Sequence, residues 1–124
     1  MGLAKRYREA LSPTRFYKSL RHALRGVGRL FSSGPNALIH LLFLLAVPIA
    51  ALFFRVTLIE WCILLICIAL VLSAEAVNTA IEKLSDKVST EYSPLIKDAK
   101  DLAAGAVLIL AAASAIVGLL IFFA

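Results

Sequence analysis

The chain has 124 residues, 61% of them hydrophobic and 17% charged, with a formal net charge of +5 and a mean hydropathy of +0.91. So apolar a composition excludes an ordinary soluble domain of this length and points to one compact unit, residues 1–124, embedded in a membrane. Three long apolar runs are present, each close to the roughly twenty residues that a helix needs to cross the hydrocarbon.

The basic N-terminal arm comes first. Phe16, Leu20, Ala23, Leu24, Val27 and Leu30 recur at helical spacing while Arg15, Lys18, His22, Arg25 and Arg29 take other faces. This pattern predicts an amphipathic surface helix over 13–32, with Ser12 as N-cap and Pro13 in its first turn. Adhesion to anionic lipid explains the cations more simply than nucleic acid does, so no nucleic-acid partner is expected. Gly26, Gly28 and Gly34 form neither a dinucleotide fingerprint nor a Walker loop. The arm's length before the first apolar run argues against a cleavable signal peptide.

Membrane helices are expected over 36–54, 57–86 and 98–123. Eight cations against Glu9 alone precede the first, and Arg55 alone stands between the first and second. The positive-inside rule therefore puts the N-terminus in the cytoplasm, the 83–100 connection with its four lysines on the same side, and Ala124 outside. His40, at the head of the first span, reads as an interfacial hydrogen-bonding residue, because no second histidine lies at helical spacing. Cys62 and Cys67 are about 140° apart around a helix and suit small apolar fillers rather than a metal. Alanines 103, 104 and 111–113 with Gly105, Ser114 and Gly118 suit close helix approach in the third span.

The stretch "AEAVNTAIEKLSD" differs in kind. Glu75, Asn78, Thr79, Glu82 and Asp86 follow at intervals of three or four, a stripe roughly 16 Å long on one helix face. A carboxylate facing lipid costs several kcal/mol, so the stripe should face protein, water or ligand. Three short helices are expected to enclose it poorly, which implies a homo-oligomer. Glu82 suits a hard divalent cation and Glu75, deeper, suits proton abstraction. "KDAKD" then offers Lys97, Asp98, Lys100 and Asp101 for phosphate, metal or ribose, with an i, i+4 Lys97–Asp101 ion pair as the structural alternative.

"EAVNTAIEKLSD", followed by "EYSPLIKDAKDLAAGAVL" and preceded by "TRFYKSLRHALRG" and "PNALIHL", resembles the bacterial diacylglycerol kinase family, which includes the undecaprenol kinases. The resemblance implies an all-α integral membrane protein of three transmembrane helices plus the N-terminal surface helix, assembled as a homotrimer in the bacterial cytoplasmic membrane. It implies transfer of the γ-phosphoryl group of ATP, with Mg²⁺, to a lipid alcohol. The acceptor would be diacylglycerol, giving phosphatidic acid in phospholipid biosynthesis, or undecaprenol. By the same resemblance Glu75 is the general base, Asn78 its support and Glu82 the metal carboxylate. Asp86, Glu91, Tyr92, Lys100 and Asp101 contact nucleotide, and Arg15 lies near the phosphates.

The family pattern before the first span, E-x-N-x-R-I-H, reads "GPNALIH" here. Gly34 stands in the place of a second metal carboxylate, Leu38 in that of the arginine, and His22 in that of a tyrosine. That departure motivates a second reading, a weakened or non-catalytic relative that binds nucleotide or lipid. A third, a small transporter or channel subunit whose seam conducts cations, follows from the seam alone and is opposed by the family motifs.

Overall fold

The computed structural model describes residues 2–34 and 36–124. Their regular structure is entirely helical: α1 (Gly2–Ala10), α2 (Pro13–Ser32), α3 (Ala37–Phe53), α4 (Leu58–Val88) and α5 (Pro94–Phe123). The short helix α1 was not foreseen from the sequence, and none of its residues is buried.

Local chemistry sets the helix ends. Ser12 Oγ accepts the Arg15 backbone N–H at 3.3 Å, with Pro13 opening α2. The α4 start is a capping box: Thr57 Oγ1 accepts from Glu60 N at 3.3 Å, and Glu60 Oε2 accepts from Thr57 N at 2.7 Å. This explains a carboxylate at the head of an apolar run, where it satisfies an otherwise orphaned backbone donor. A second serine–proline pair, Ser93 and Pro94, opens α5. The helix therefore starts four residues before the expected 98, and α4 likewise runs two residues past 86 to Val88.

The end of α3 is a Schellman motif, with Arg55 N donating to Leu52 O at 3.3 Å and Val56 N to Ala51 O at 3.2 Å. Arg55 stands at the left-handed position, φ 52°, where glycine is usual. Pro48 lies inside α3. In a membrane helix its lost donor is tolerable where neighbouring groups compensate.

Two helices, α4 and α5, are each long and apolar enough to cross a membrane. Helices α2 and α3 meet at 100° and qualify only when taken together, so the described residues hold two candidate spans, or three if that bent pair is one. Burial is inverted relative to a soluble protein. Ala37, Ala51 and Leu64 are the buried hydrophobic residues among those described, while large side chains such as Leu65, Leu108 and Ile109 are exposed. Apolar surface turned outward at this density is what a hydrocarbon solvent permits.

The most extensive packing is α5 along α4, and α2 and α3 each touch α4. At one end Phe54 holds α3 to α5, its ring centroid 5.5 Å from Phe122 and 6.4 Å from Phe123. At the other end Lys100 Nζ of α5 meets Asp86 Oδ1 of α4 at 3.1 Å. Thus α3 is held to α5 at one end and α4 to α5 at the other, and the polar face of α4 lies toward the second of them.

A candidate active site on the polar face of α4

Counting from Leu58 at 1.5 Å per residue, Glu75 lies about 26 Å along α4, inside a hydrocarbon layer of about 30 Å, whereas Glu82 at about 36 Å and Asp86 at about 42 Å lie beyond it. The stripe divides accordingly. Glu75 and Asn78 are buried, each 7% exposed, Thr79 is half-buried, and Glu82 and Asp86 are exposed. One chain therefore covers the deep half of the seam by itself. The expectation that three helices enclose the whole stripe poorly holds at Glu82 and Asp86, which stay exposed, but not at Glu75 and Asn78, because α3 and α5 both pack against α4 and α3 brings a side chain to Glu75 itself.

The contact from α3 was missed in the sequence. His40 Nε2 lies 3.4 Å from Glu75 Oε1, the two side chains only 14% and 10% exposed. This distance exceeds a hydrogen bond, and His40 Nε2 is a buried nitrogen with no hydrogen-bond partner. Asn78 Oδ1 is likewise buried and unpartnered. Two orphaned polar atoms flanking a buried carboxylate are unusual in a purely structural core, where such groups are almost always paired. Periodicity ranks residues within one helix and is silent about which residue of another helix faces them. The usable signal was "NALIH" itself, a histidine in the first turns of a helix that must pack beside the acidic one.

Beneath Glu75 the same face of α4 turns apolar. Leu64, Ile68 and Val71, at the preceding helical repeats, line a cleft of about 440 Å³ between α3, α4 and α5. His40 stands among its lining residues, as do Ser114, Gly118 and Phe122 of α5. The cleft is a hydrocarbon slot that reaches the Glu75 carboxylate through His40.

Above Glu75 the residues that the sequence assigned to nucleotide are only partly gathered. Lys100 and Asp86 pair with one another. Asp101 instead takes Lys97 at i, i+4, in the ion pair that is the structural alternative for this stretch. Glu91 and Tyr92 lie in the α4–α5 connection, both exposed, with Glu91 N donating to Ser89 Oγ at 3.2 Å. Arg15 is exposed, and no ion pair joins it to the seam among the described residues. It sits about 21 Å of helix rise from Arg29, which lines a second cleft between α2 and α4 together with Ser33, Thr79 and Lys83.

For a metal ion the chain offers little alone. No group of three histidine, cysteine, aspartate or glutamate side chains could hold one among the described residues. Glu82 is exposed and forms no ion pair there. One free carboxylate at the water boundary fits Mg²⁺ carried in on phosphates, since that ion takes one or two protein carboxylates beside phosphate oxygens and water. Lys83 Nζ lies 3.5 Å from Ser33 Oγ, so the stretch preceding α3 does come up to the Glu82 region. Gly34, in the place of the second carboxylate, has φ +95°, with open space where a β-carbon would stand. Gly34 therefore holds the left-handed region that favours glycine; Pro35 itself lies outside the described residues.

Fold and site define a small helical membrane protein with a buried carboxylate at one membrane edge and a charged rim above it. The chain belongs to a bacterial membrane family, prokaryotic diacylglycerol kinase, whose family model matches residues 21–122. That range includes every proposed site residue except Arg15. Among similar proteins, an undecaprenol kinase of Bacillus subtilis is 42% identical over 108 residues, covering 87% of this chain and 88% of its own. A diacylglycerol kinase of Synechocystis is 41% identical over 101 residues, 81% of this chain and 58% of its own. A diacylglycerol kinase of Sinorhizobium is 35% identical over 101 residues, 81% of this chain and 72% of its own. No solved structure matches the chain significantly.

Proposed function

We propose that the protein is an ATP-dependent lipid kinase that moves the γ-phosphoryl group onto the hydroxyl of a membrane lipid alcohol. The observation that carries this reading is the buried Glu75 carboxylate 3.4 Å from His40, a residue that itself lines an apolar cleft, so that a lipid hydroxyl and its tail can be held close together. In the proposed step Glu75 takes the hydroxyl proton as the lipid oxygen bonds to the γ-phosphorus and the bond from that phosphorus to the bridging oxygen of ADP breaks. Asn78 Oδ1, an acceptor without a partner, holds a donor of the bound substrates beside Glu75. Lys100 turns from Asp86 toward phosphate, Asp86, Glu91, Tyr92 and Asp101 take the rest of the nucleotide, and Glu82 holds Mg²⁺. When bound, that ion neutralises phosphate charge. Catalysis is then positioning and charge stabilisation, so no Walker loop is required.

The chain works as a homotrimer of three-span subunits, its N-terminus and charged rim in the cytoplasm. The exposed rim and the remoteness of Arg15 from Glu75 support a neighbour's contribution. The acceptor is diacylglycerol or undecaprenol, since relatives of comparable identity carry each name. Incubating the protein with γ-labelled ATP, Mg²⁺ and each lipid in mixed micelles tests the reading. Label in phosphatidic acid or undecaprenyl phosphate is expected and names the acceptor. Nucleotide binding without label in either overturns the kinase reading in favour of a non-catalytic relative.

A further inference from the structure

We propose that His40 is a positioning residue for Glu75, its Nε2–H aimed at Oε1 so that Oε2 is left facing the acceptor hydroxyl. This rests on the reading of Glu75 as the base and adds a residue to it. Four observations carry it. Glu75 is buried and, among the described residues, His40 is its one charged or chargeable partner. A buried carboxylate without a donor is strongly destabilising, and backbone donors within α4 are engaged in the helix. His40 Nε2 is buried and bonds to nothing else, while the carboxylate oxygen stands 3.4 Å away. Finally, His40 lies in the first turns of α3 and also lines the mouth of the apolar cleft, so it touches the carboxylate and the entry to the tail slot at once.

A purely structural histidine would have its ring nitrogen satisfied, and a metal-binding one would need further ligands that are absent among the described residues. The remaining gap is a few tenths of an ångström beyond hydrogen-bonding range, and catalytic contacts commonly close by this much only when substrate is bound. Because the contact joins α3 to α4, filling the cleft between them bears directly on its length.

The test compares His40→Leu, which removes the donor and keeps apolar bulk, with His40→Gln, whose amide N–H reaches nearly as far as Nε2–H. Both are made in the full chain, checked for oligomer size and ATP binding, and assayed for kcat and for KM of ATP and lipid. His40→Leu is expected to lower kcat by about 100-fold, the scale of a misaligned reacting group, with KM for ATP changed by less than about threefold. His40→Gln is expected to recover at least about a tenfold part of that loss. Unchanged turnover in His40→Leu overturns the proposal, and so does a His40→Gln protein that folds, binds ATP and is as slow as His40→Leu. A Glu75→Gln protein with full turnover overturns the general-base reading instead, so the two failures are told apart.

Discussion

At the scale of single residues, the strongest commitment concerns Glu75. Replacing it by glutamine keeps volume and polarity but removes the ability to accept a proton, so Glu75→Gln should lose about 10²- to 10⁴-fold in turnover while still assembling and binding ATP. Normal turnover in the folded variant would make Glu75 structural only. Gly34 carries a second prediction, which turns on its backbone and its place beside Glu82. A carboxylate there would attract a divalent metal at about 4 Å by roughly 2 to 8 kcal/mol, twice the unit-charge value, and a side chain at φ +95° costs on the order of 1 to 3 kcal/mol. That strain is present with and without metal, so it lowers stability and leaves metal affinity alone. Gly34→Glu should therefore lower the Mg²⁺ half-saturation point, and Gly34→Ala should lose stability with the Mg²⁺ dependence unchanged. An unchanged half-saturation point in a folded, active Gly34→Glu protein, titrated at saturating ATP, would show that another residue or the phosphates already complete the metal's shell. The seam's residue types and spacing were legible in the sequence because a helix imposes them. His40 was not legible as a partner of Glu75, since that pairing depends on where α3 lands.

At the scale of elements, the α2 start that sequence reading found has a side-chain signal, and the α5 start that it misplaced has the same signal, overlooked. Ser12 and Pro13 start α2, and Ser93 and Pro94 start α5 by the same chemistry. The α3 terminus has no glycine to advertise it, because Arg55 occupies the left-handed position. Glycine there would relieve backbone strain, so Arg55→Gly should raise thermal stability in detergent by about 1 kcal/mol. A lower melting temperature would mean that the Arg55 side chain anchors the helix end by contacts of greater value. The small residues of α5 were read as sites of close helix approach. Within one chain Gly105 and Gly118 have no atom within 4 Å of an added Cβ, which leaves both positions open to a helix of a second copy.

At the scale of the whole molecule, the division of the seam decides what an oligomer is for. Glu75 and Asn78 are covered within the chain, so assembly is not needed to bury them. What one chain leaves incomplete is the charged half: Glu82 is exposed, Lys100 is occupied by Asp86, and Arg15 lies toward the far end of α2. A phosphate chain carrying several negative charges takes several cationic partners, and a second copy would add its own to the Arg29 and Lys83 that this chain holds beside Thr79. If each site joins Glu75 of one subunit to Lys100 of the next, Glu75→Gln and Lys100→Ala subunits, each inactive alone, should complement. In a randomly mixed cyclic oligomer with equal parts of each, a site needs one intact Glu75, chance one half, beside one intact Lys100, chance one half, so about a quarter of wild-type activity should return. Restoration near that level would establish a shared site and explain why the Lys100–Asp86 pair stands about 16 Å of helix rise from Glu75 in its own chain. No restoration, with mixed oligomers verified by differential tagging, would put both residues to work within one chain and require the nucleotide to span that distance along a single α4.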